Sequence, residues 1–222
     1  MKTHIFEILI SGLLAVGFLS NAYAFDDGDF QVWHTEQQEW KINNKFKATM
    51  EEELRLGDDG GNLYYQHYDV GIVYAAQKWL DLGLNYRQIY EKKGSDFKEE
   101  NEPHINATIK WALAGFTFDD RNRLEYRHYD WQEDSWRYRN KFNVKLPWKF
   151  TKFEIQPYFA DEIFLNLNGI DLNKNRFYSG LGFTLTKNLK GEIYYMLQSS
   201  KASGTGIWAD ANVLGTKLKV SF

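Results

Sequence analysis

The 222-residue chain contains no cysteine. That excludes disulfide bridges, thiolate metal ligands, thiol nucleophiles and haem attachment. Proline is scarce, with only 3 residues, so little interrupts long extended segments. Past residue 24 no apolar run approaches the ~18 residues needed for a membrane helix. Charge is nearly balanced, 27 Lys and Arg against 30 Asp and Glu, and a basic nucleic-acid-binding domain is therefore not expected. Aromatic residues are abundant instead: 16 Phe, 14 Tyr and 8 Trp.

Residues 1–24 have the form of a secretory signal peptide, with Lys2 near the start, an apolar run from Ile8 to Leu19 and the small-residue site Ala22-Tyr23-Ala24. Residues 25–222 form one domain with no linker. The pattern is period-2 throughout, and it predicts strands over 30–39, 44–56, 63–76, 79–91, 103–114, 116–129, 135–147, 150–165, 174–186, 189–201 and 209–222. Tight turns are expected at Gln77-Lys78, Ala114-Gly115, Pro147-Trp148 and Lys187-Asn188. Longer polar connections are expected at 57–62, 92–102, 130–134, 166–173 and 201–208. Alternating short and long connections are a mark of membrane barrels, with short periplasmic turns and longer outer loops.

Each strand has one apolar and one polar face. Ile105, Ala107, Ile109, Trp111 and Leu113 oppose His104, Asn106, Thr108 and Lys110; Leu80, Leu82, Leu84 and Tyr86 oppose Asp81, Gly83, Asn85 and Arg87. One wet face also suits a soluble sandwich. Three features favour a membrane barrel: Tyr or Trp bounds many apolar faces, long strands follow one another without a break, and Phe222 lies in phase with the outward face of the last strand. Unpaired sheet edges are costly in hydrocarbon, so such a sheet must close.

The expected fold is thus an all-β transmembrane antiparallel barrel in the bacterial outer membrane. Eleven segments conflict with the even strand number usual in such barrels. If Phe222 ends a descending strand, the first segment descends too. Its faces are also poor, with Val32, His34, Glu36 and Gln38 against Gln31, Trp33, Thr35 and Gln37. A wall of ten strands is therefore expected, residues 25–40 crossing the lumen or packing at its rim, with twelve strands as the alternative.

The polar face would carry a charge network of Glu51, Glu53, Arg55, Arg87, Arg123, Glu125, Arg127, Arg137, Arg139, Lys141, Glu154, Glu162 and Arg176. With its neighbours this inward set holds 17 of the 27 basic residues and 9 of the 30 acidic ones. A basic lumen concentrates anions. Interior Arg and Glu also fill space by pairing across strands, and a paired network can line a narrow pore. Glu52 and Asn140 break phase by falling mid-strand on the apolar side.

Several short motifs carry a resemblance. They are Val32-Trp33, Glu51-Glu52-Glu53-Leu54-Arg55, Leu84-Asn85-Tyr86-Arg87, Arg123-Leu124-Glu125-Tyr126-Arg127 and Trp136-Arg137-Tyr138-Arg139-Asn140-Lys141. Pro157-Tyr158 with Glu162-Ile163-Phe164, Arg176-Phe177-Tyr178-Ser179-Gly180-Leu181 and Val213-Leu214-Gly215 follow. In this order they resemble the bacterial outer-membrane family catalogued as domain of unknown function 2490, over essentially all of 25–222. Where that family usually has Glu-His-Arg, this chain has Glu102-Pro103-His104. The resemblance implies an outer-membrane barrel and supplies no reaction. A more distant similarity, in character alone, is to small porins for acidic oligosaccharides.

The expected role is a narrow channel favouring anionic solutes. Alternatives are an outer-membrane enzyme using rim histidines (His67 with Asp69, His104, or His128 with Asp130) and a closed structural barrel with partner-binding loops. A His base needs a nucleophile within roughly 2.6–3.2 Å, and no Ser motif accompanies these. Expected partners are outer-membrane lipid, the barrel-assembly machinery and a small anionic solute. No cofactor or metal is expected; Asp58-Asp59-Gly60-Gly61 lacks the alternating ligands of a calcium loop and is a turn signal.

Overall fold

The computed structural model describes residues 27–201 and 205–222; the expected signal peptide lies outside the described residues. Eleven strands form one closed barrel: β1 (Asp29–Lys41), β2 (Phe46–Gly57), β3 (Asn62–Gln77), β4 (Leu80–Lys93), β5 (Asp96–Leu113), β6 (Phe116–Tyr129), β7 (Ser135–Lys145), β8 (Gln156–Asn166), β9 (Asp171–Thr184), β10 (Leu189–Lys201) and β11 (Trp208–Ser221). Every neighbouring pair is antiparallel except the closing one. There β1 runs parallel to β11, from Asp29 opposite Ala211 to Glu39 opposite Ser221.

The wall therefore has neither ten strands nor twelve. The first segment does descend, as expected, but within the wall. An odd number of alternating strands brings first and last together in the same direction, and a parallel ladder resolves the parity. The cost of its poor phase falls on the outward side. Gln31, Trp33 and Thr35 point inward and are buried, leaving His34, Glu36 and Gln38 outward. Glu36 lies directly opposite Glu52 of β2, and His34 Nδ1 is 2.8 Å from Thr216 Oγ1 of β11. Glu52 thus breaks phase because it belongs to a polar seam. Asn140 breaks phase within a second polar group, donating to Asp120 at 2.5 Å and to Asn122 at 3.2 Å.

The expected asymmetry of connections is absent. At the rim where β1 begins, here the upper rim, they span 58–61, 94–95, 130–134 and 167–170, and β10 ends there at Lys201 before β11 starts at Trp208. At the lower rim they span 42–45, 78–79, 114–115, 146–155 and 185–188. The longest lies below, where the small Phe150–Ile155 bridge occupies what was expected to be the start of a strand. The polar stretch 92–102 is mostly hairpin: β4 and β5 pair up to Lys93 and Asp96. Ala114 and Gly115, both with positive φ (50 and 85), give the two-residue turn whose twist matches its flanking strands.

Alternation then decides what faces where. Outward lie Val70, Ile72, Leu84 and Ile105, between 49% and 65% exposed, in an apolar band that only the two polar groups interrupt. Aromatics bound it below, where Trp111 stacks on Phe118 at 5.3 Å and Trp40 on Phe222 at 5.6 Å. Above, Tyr126 meets Trp136 at 5.1 Å; Tyr86, Tyr138 and Tyr195 donate their hydroxyls to Asn101, Asn122 and Asn212. The inward apolar cluster is small (Trp33, Tyr158, Ala160, Tyr178, Tyr194, Met196 and Val213); charge fills the rest. Gly215 makes room for one of these rings, since a Cβ there would stand 2.0 Å from Tyr194 Cζ.

Candidate functional site

Midway along the lumen the inward charges close on one another. Glu102 of β5, Glu125 of β6 and Glu162 of β8 are fully buried, and β7 supplies the cations between them. Arg137 donates to Glu102 at 2.7 Å and to Glu125; Arg139 donates to Glu125 at 2.9 Å and to Glu162 at 2.8 Å. The result is a row of alternating sign across four strands, Glu102–Arg137–Glu125–Arg139–Glu162. Arg's planar fork bridges two carboxylates at once, and i, i+2 spacing on β7 places both forks on one face. Arg87 extends the row to Asp69, donating from Nε at 3.0 Å.

Aromatic rings seal the same level. Arg55 lies between Trp33 and Tyr65, 3.8 Å from each ring centroid, and donates to Glu53 at 2.7 Å. Phe164 carries Arg139 at 4.4 Å and Arg176 at 4.7 Å. Side-chain exposure falls from 34% at Lys219 to 0% at Glu125 and Glu102, then rises to 21% at Arg127 and 41% at Lys93. The lumen is therefore closed at its waist, and its side chains grow more exposed toward each rim.

Below the waist lies a cavity of about 330 Å³. Its ceiling is made by Trp33, Arg87, Arg123, Arg139, Glu162 and Arg176; Lys141, Lys145, Lys190, Lys217 and Lys219 descend toward the lower rim. Eleven Arg and Lys side chains line it against four Glu. This chamber holds the basic excess, whereas the waist is nearly neutral.

Of the expected network, Glu51, Glu53, Arg55, Arg87, Arg123, Glu125, Arg127, Arg137, Arg139, Lys141, Glu162 and Arg176 all face inward. Glu154 does not. It lies in the 146–155 connection, exposed and 3.2 Å from Lys149, because β8 begins only at Gln156. Glu100 and Glu102 are inward residues that sequence phase assigned to a loop; Glu100 pairs with Arg127 at 2.5 Å. The alternation of 96–102, continuous with that of 103–113, is the signal that identifies them. Counting them reduces the basic excess expected of the lumen as a whole.

The histidines are not where an enzyme of the outer rim needs them. His67 and His104 are buried in the waist, His67 Nε2 3.4 Å from Glu51 and His104 Nε2 3.5 Å from Asp69. Among the described histidines only His128 is at the upper rim, and its partner is Asp134 at 3.0 Å rather than Asp130. Tyr126, His128 and the backbone NH of Tyr129 hold the Asp134 carboxyl at about 2, below its ordinary 3.8. A depressed carboxyl stabilises above its unfolded value, so this clasp should be intact above pH ~4 and lost as pH falls through about 2. Carboxyl-carbon NMR titration of Asp134 checks it; a midpoint near 4 would dissolve the clasp. On the outward seam His34 also has Glu36 at 3.4 Å and Thr216 at 2.8 Å. The adjoining backbone NH groups belong to the β1–β2 and β1–β11 ladders, which provides no oxyanion hole of the kind acyl transfer uses.

The family described as Protein of unknown function (DUF2490) matches residues 30–208, which is the family that the sequence motifs resemble. Its span takes in β1 from Phe30 onward and stops at Trp208, where β11 begins. No curated protein and no solved structure matches the chain.

Proposed function

The chain belongs to the DUF2490 family, and from that membership and the chamber described above we propose that it is an outer-membrane barrel admitting small anionic solutes into a basic chamber beneath a closed waist. The observation that carries this is the segregation of charge: a neutral, sealed waist and, below it, Arg121, Arg123, Lys141, Lys145, Lys190, Lys217 and Lys219 against Glu51 and Glu192 alone among the cavity's lining residues. Such an imbalance in a low-dielectric enclosure focuses potential and raises the local concentration of anions. Phe222, stacked on Trp40 in phase with the outward face, supports a periplasmic lower rim, so the chamber opens toward the periplasm. The waist acts as the barrier to through-flow.

Lipid around the wall is supported by the apolar band between two aromatic girdles. It makes a sharp prediction at Leu84, 65% exposed and flanked in register by Ile72 and Ile105. Leu84→Arg should destabilise the barrel by about 2–4 kcal/mol in phospholipid vesicles, measured by denaturant unfolding. Unchanged stability would mean that this face meets water.

Planar-bilayer recording tests the functional claim. Purified wild type is expected to show no sustained conductance, and any current released by weakening the waist should be carried by anions. Steady wide openings of the wild type, or a cation preference in the opened barrel, would overturn it.

A further inference from the structure

The two central hydrogen-bonded strands of the chamber wall face each other with like charge. On β6 and β7, Arg121 stands opposite Lys141 and Arg123 opposite Arg139. Cations placed directly across a ladder repel, so a two-by-two block of them needs anions inside it. The protein provides only part of that. Glu162 takes one hydrogen bond from Arg121 and one from Arg139, each at 2.8 Å, and Glu125 takes one from Arg139. Lys141 Nζ rests 3.6 Å above the Tyr178 ring and makes no direct ion pair among the described residues.

Donors are left over, on residues that line the cavity. Arg121 Nε, Arg123 Nη1 and Arg139 Nε are buried nitrogens with no hydrogen-bond partner among the described residues. Arg123 and Arg139 are themselves more than nine-tenths buried, and Arg123 Nη1 stays 3.6 Å from Glu125. A guanidinium NH sequestered from water without an acceptor is costly, more so than a neutral donor. The next residue toward the lower rim adds the opposite function. Asn143 donates its amide to Asp119 at 2.9 Å, which leaves Asn143 Oδ1 a buried acceptor with no partner among the described residues, on a residue that also lines the cavity.

We infer that Arg121, Arg123, Arg139 and Lys141 form a binding site for a compact oxyanion, a phosphate or carboxylate group, on a solute that presents a hydroxyl to Asn143 Oδ1. Surplus guanidinium donors fit the oxyanion and the surplus amide acceptor fits the hydroxyl. The cavity's ≈330 Å³ restricts the solute to a small molecule, at the low end of the ~300–1,000 Å³ typical of such sites. This rests on the anionic-solute reading above and adds to it the location and the chemistry of the ligand.

Isothermal titration of the full chain, folded in detergent, with inorganic phosphate, glycerol 3-phosphate, propane-1,2,3-tricarboxylate and citrate tests it. Saturable one-to-one binding of at least one probe is expected. Response to the phosphates alone or to the carboxylates alone identifies the group, and within the favoured class the hydroxylated probe should bind more tightly. Arg121→Gln and Lys141→Met, both at partly exposed positions, should each weaken binding about tenfold or more. Asn143→Leu should erase the preference for the hydroxylated probe. Lys149→Met, outside the chamber, should change nothing. Heat-dependent gel migration confirms that each variant is folded. No binding by any probe, or equal weakening by Lys149→Met, overturns the site. Anion-preferring current from the opened barrel without such binding would sink the site and spare the functional proposal; binding without anion preference would do the reverse.

Discussion

Glu162→Ala is expected to lower the stability of the barrel by about 3–5 kcal/mol, the loss typical of breaking a buried ion pair from one side. The carboxylate is the acceptor for Arg139 and Arg121 at 2.8 Å and for the Tyr178 hydroxyl at 3.0 Å, and Arg176 approaches to 3.7 Å. Alanine would leave three guanidinium groups facing one another in a site that is about 1% exposed. The penalty comes from their uncompensated charge more than from the lost contacts. Glu162→Gln should recover part of the loss, because its amide oxygen still accepts a hydrogen bond while the neutralising charge is gone. Urea unfolding of the refolded protein in one detergent measures both. If the alanine variant unfolds at the wild-type midpoint, the waist is hydrated and the seal described above does not exist.

Phe164→Ala should do two things at once. Truncating a buried phenylalanine generally costs about 3–5 kcal/mol, and here the ring also carries Arg139 and Arg176 at 4.4 and 4.7 Å. Phe164 lies at the level where exposure reaches its minimum, so removing it takes out the floor on which those guanidinium groups rest. Discrete anion-carrying openings should appear in planar bilayers where the wild type shows none. A destabilised variant that stays silent would assign Phe164 to packing alone and place the barrier on the Glu102–Arg137–Glu125 side.

Much of this was legible in the period-2 pattern, and the exceptions have physical causes. Alternation alone assigns Arg123, Glu125 and Arg127 of β6, and Arg137, Arg139 and Lys141 of β7, to the inside, because one face of each strand is unmistakably apolar. It fails at β1, whose outward residues His34, Glu36 and Gln38 are polar. Phase recognises a strand by the contrast between its faces, whereas membership of the wall is decided by backbone hydrogen bonds that carry no side-chain signature. Glu100 and Glu102 were hidden because a charged run such as 96–102 has the composition of a loop. Glu154 erred in the opposite sense, since alternation through 150–155 continues into a turn. Closure of the waist was beyond phase altogether. It depends on Glu102, Glu125 and Glu162 of three different strands meeting two arginines of a fourth, and hence on register.

The parallel ladder between β1 and β11 has a consequence for engineering. The backbone leaves the wall at opposite rims, above at Asp29 and below after Ser221. A circular permutant cannot be made by stitching these positions together with a few glycines, because the bridge would have to run the full height of the cylinder. Conversely, fluorescent or affinity tags attached ahead of Asp29 and behind Phe222 would report from two different compartments once the cylinder pierces a bilayer, an arrangement that an even-stranded wall denies its engineer.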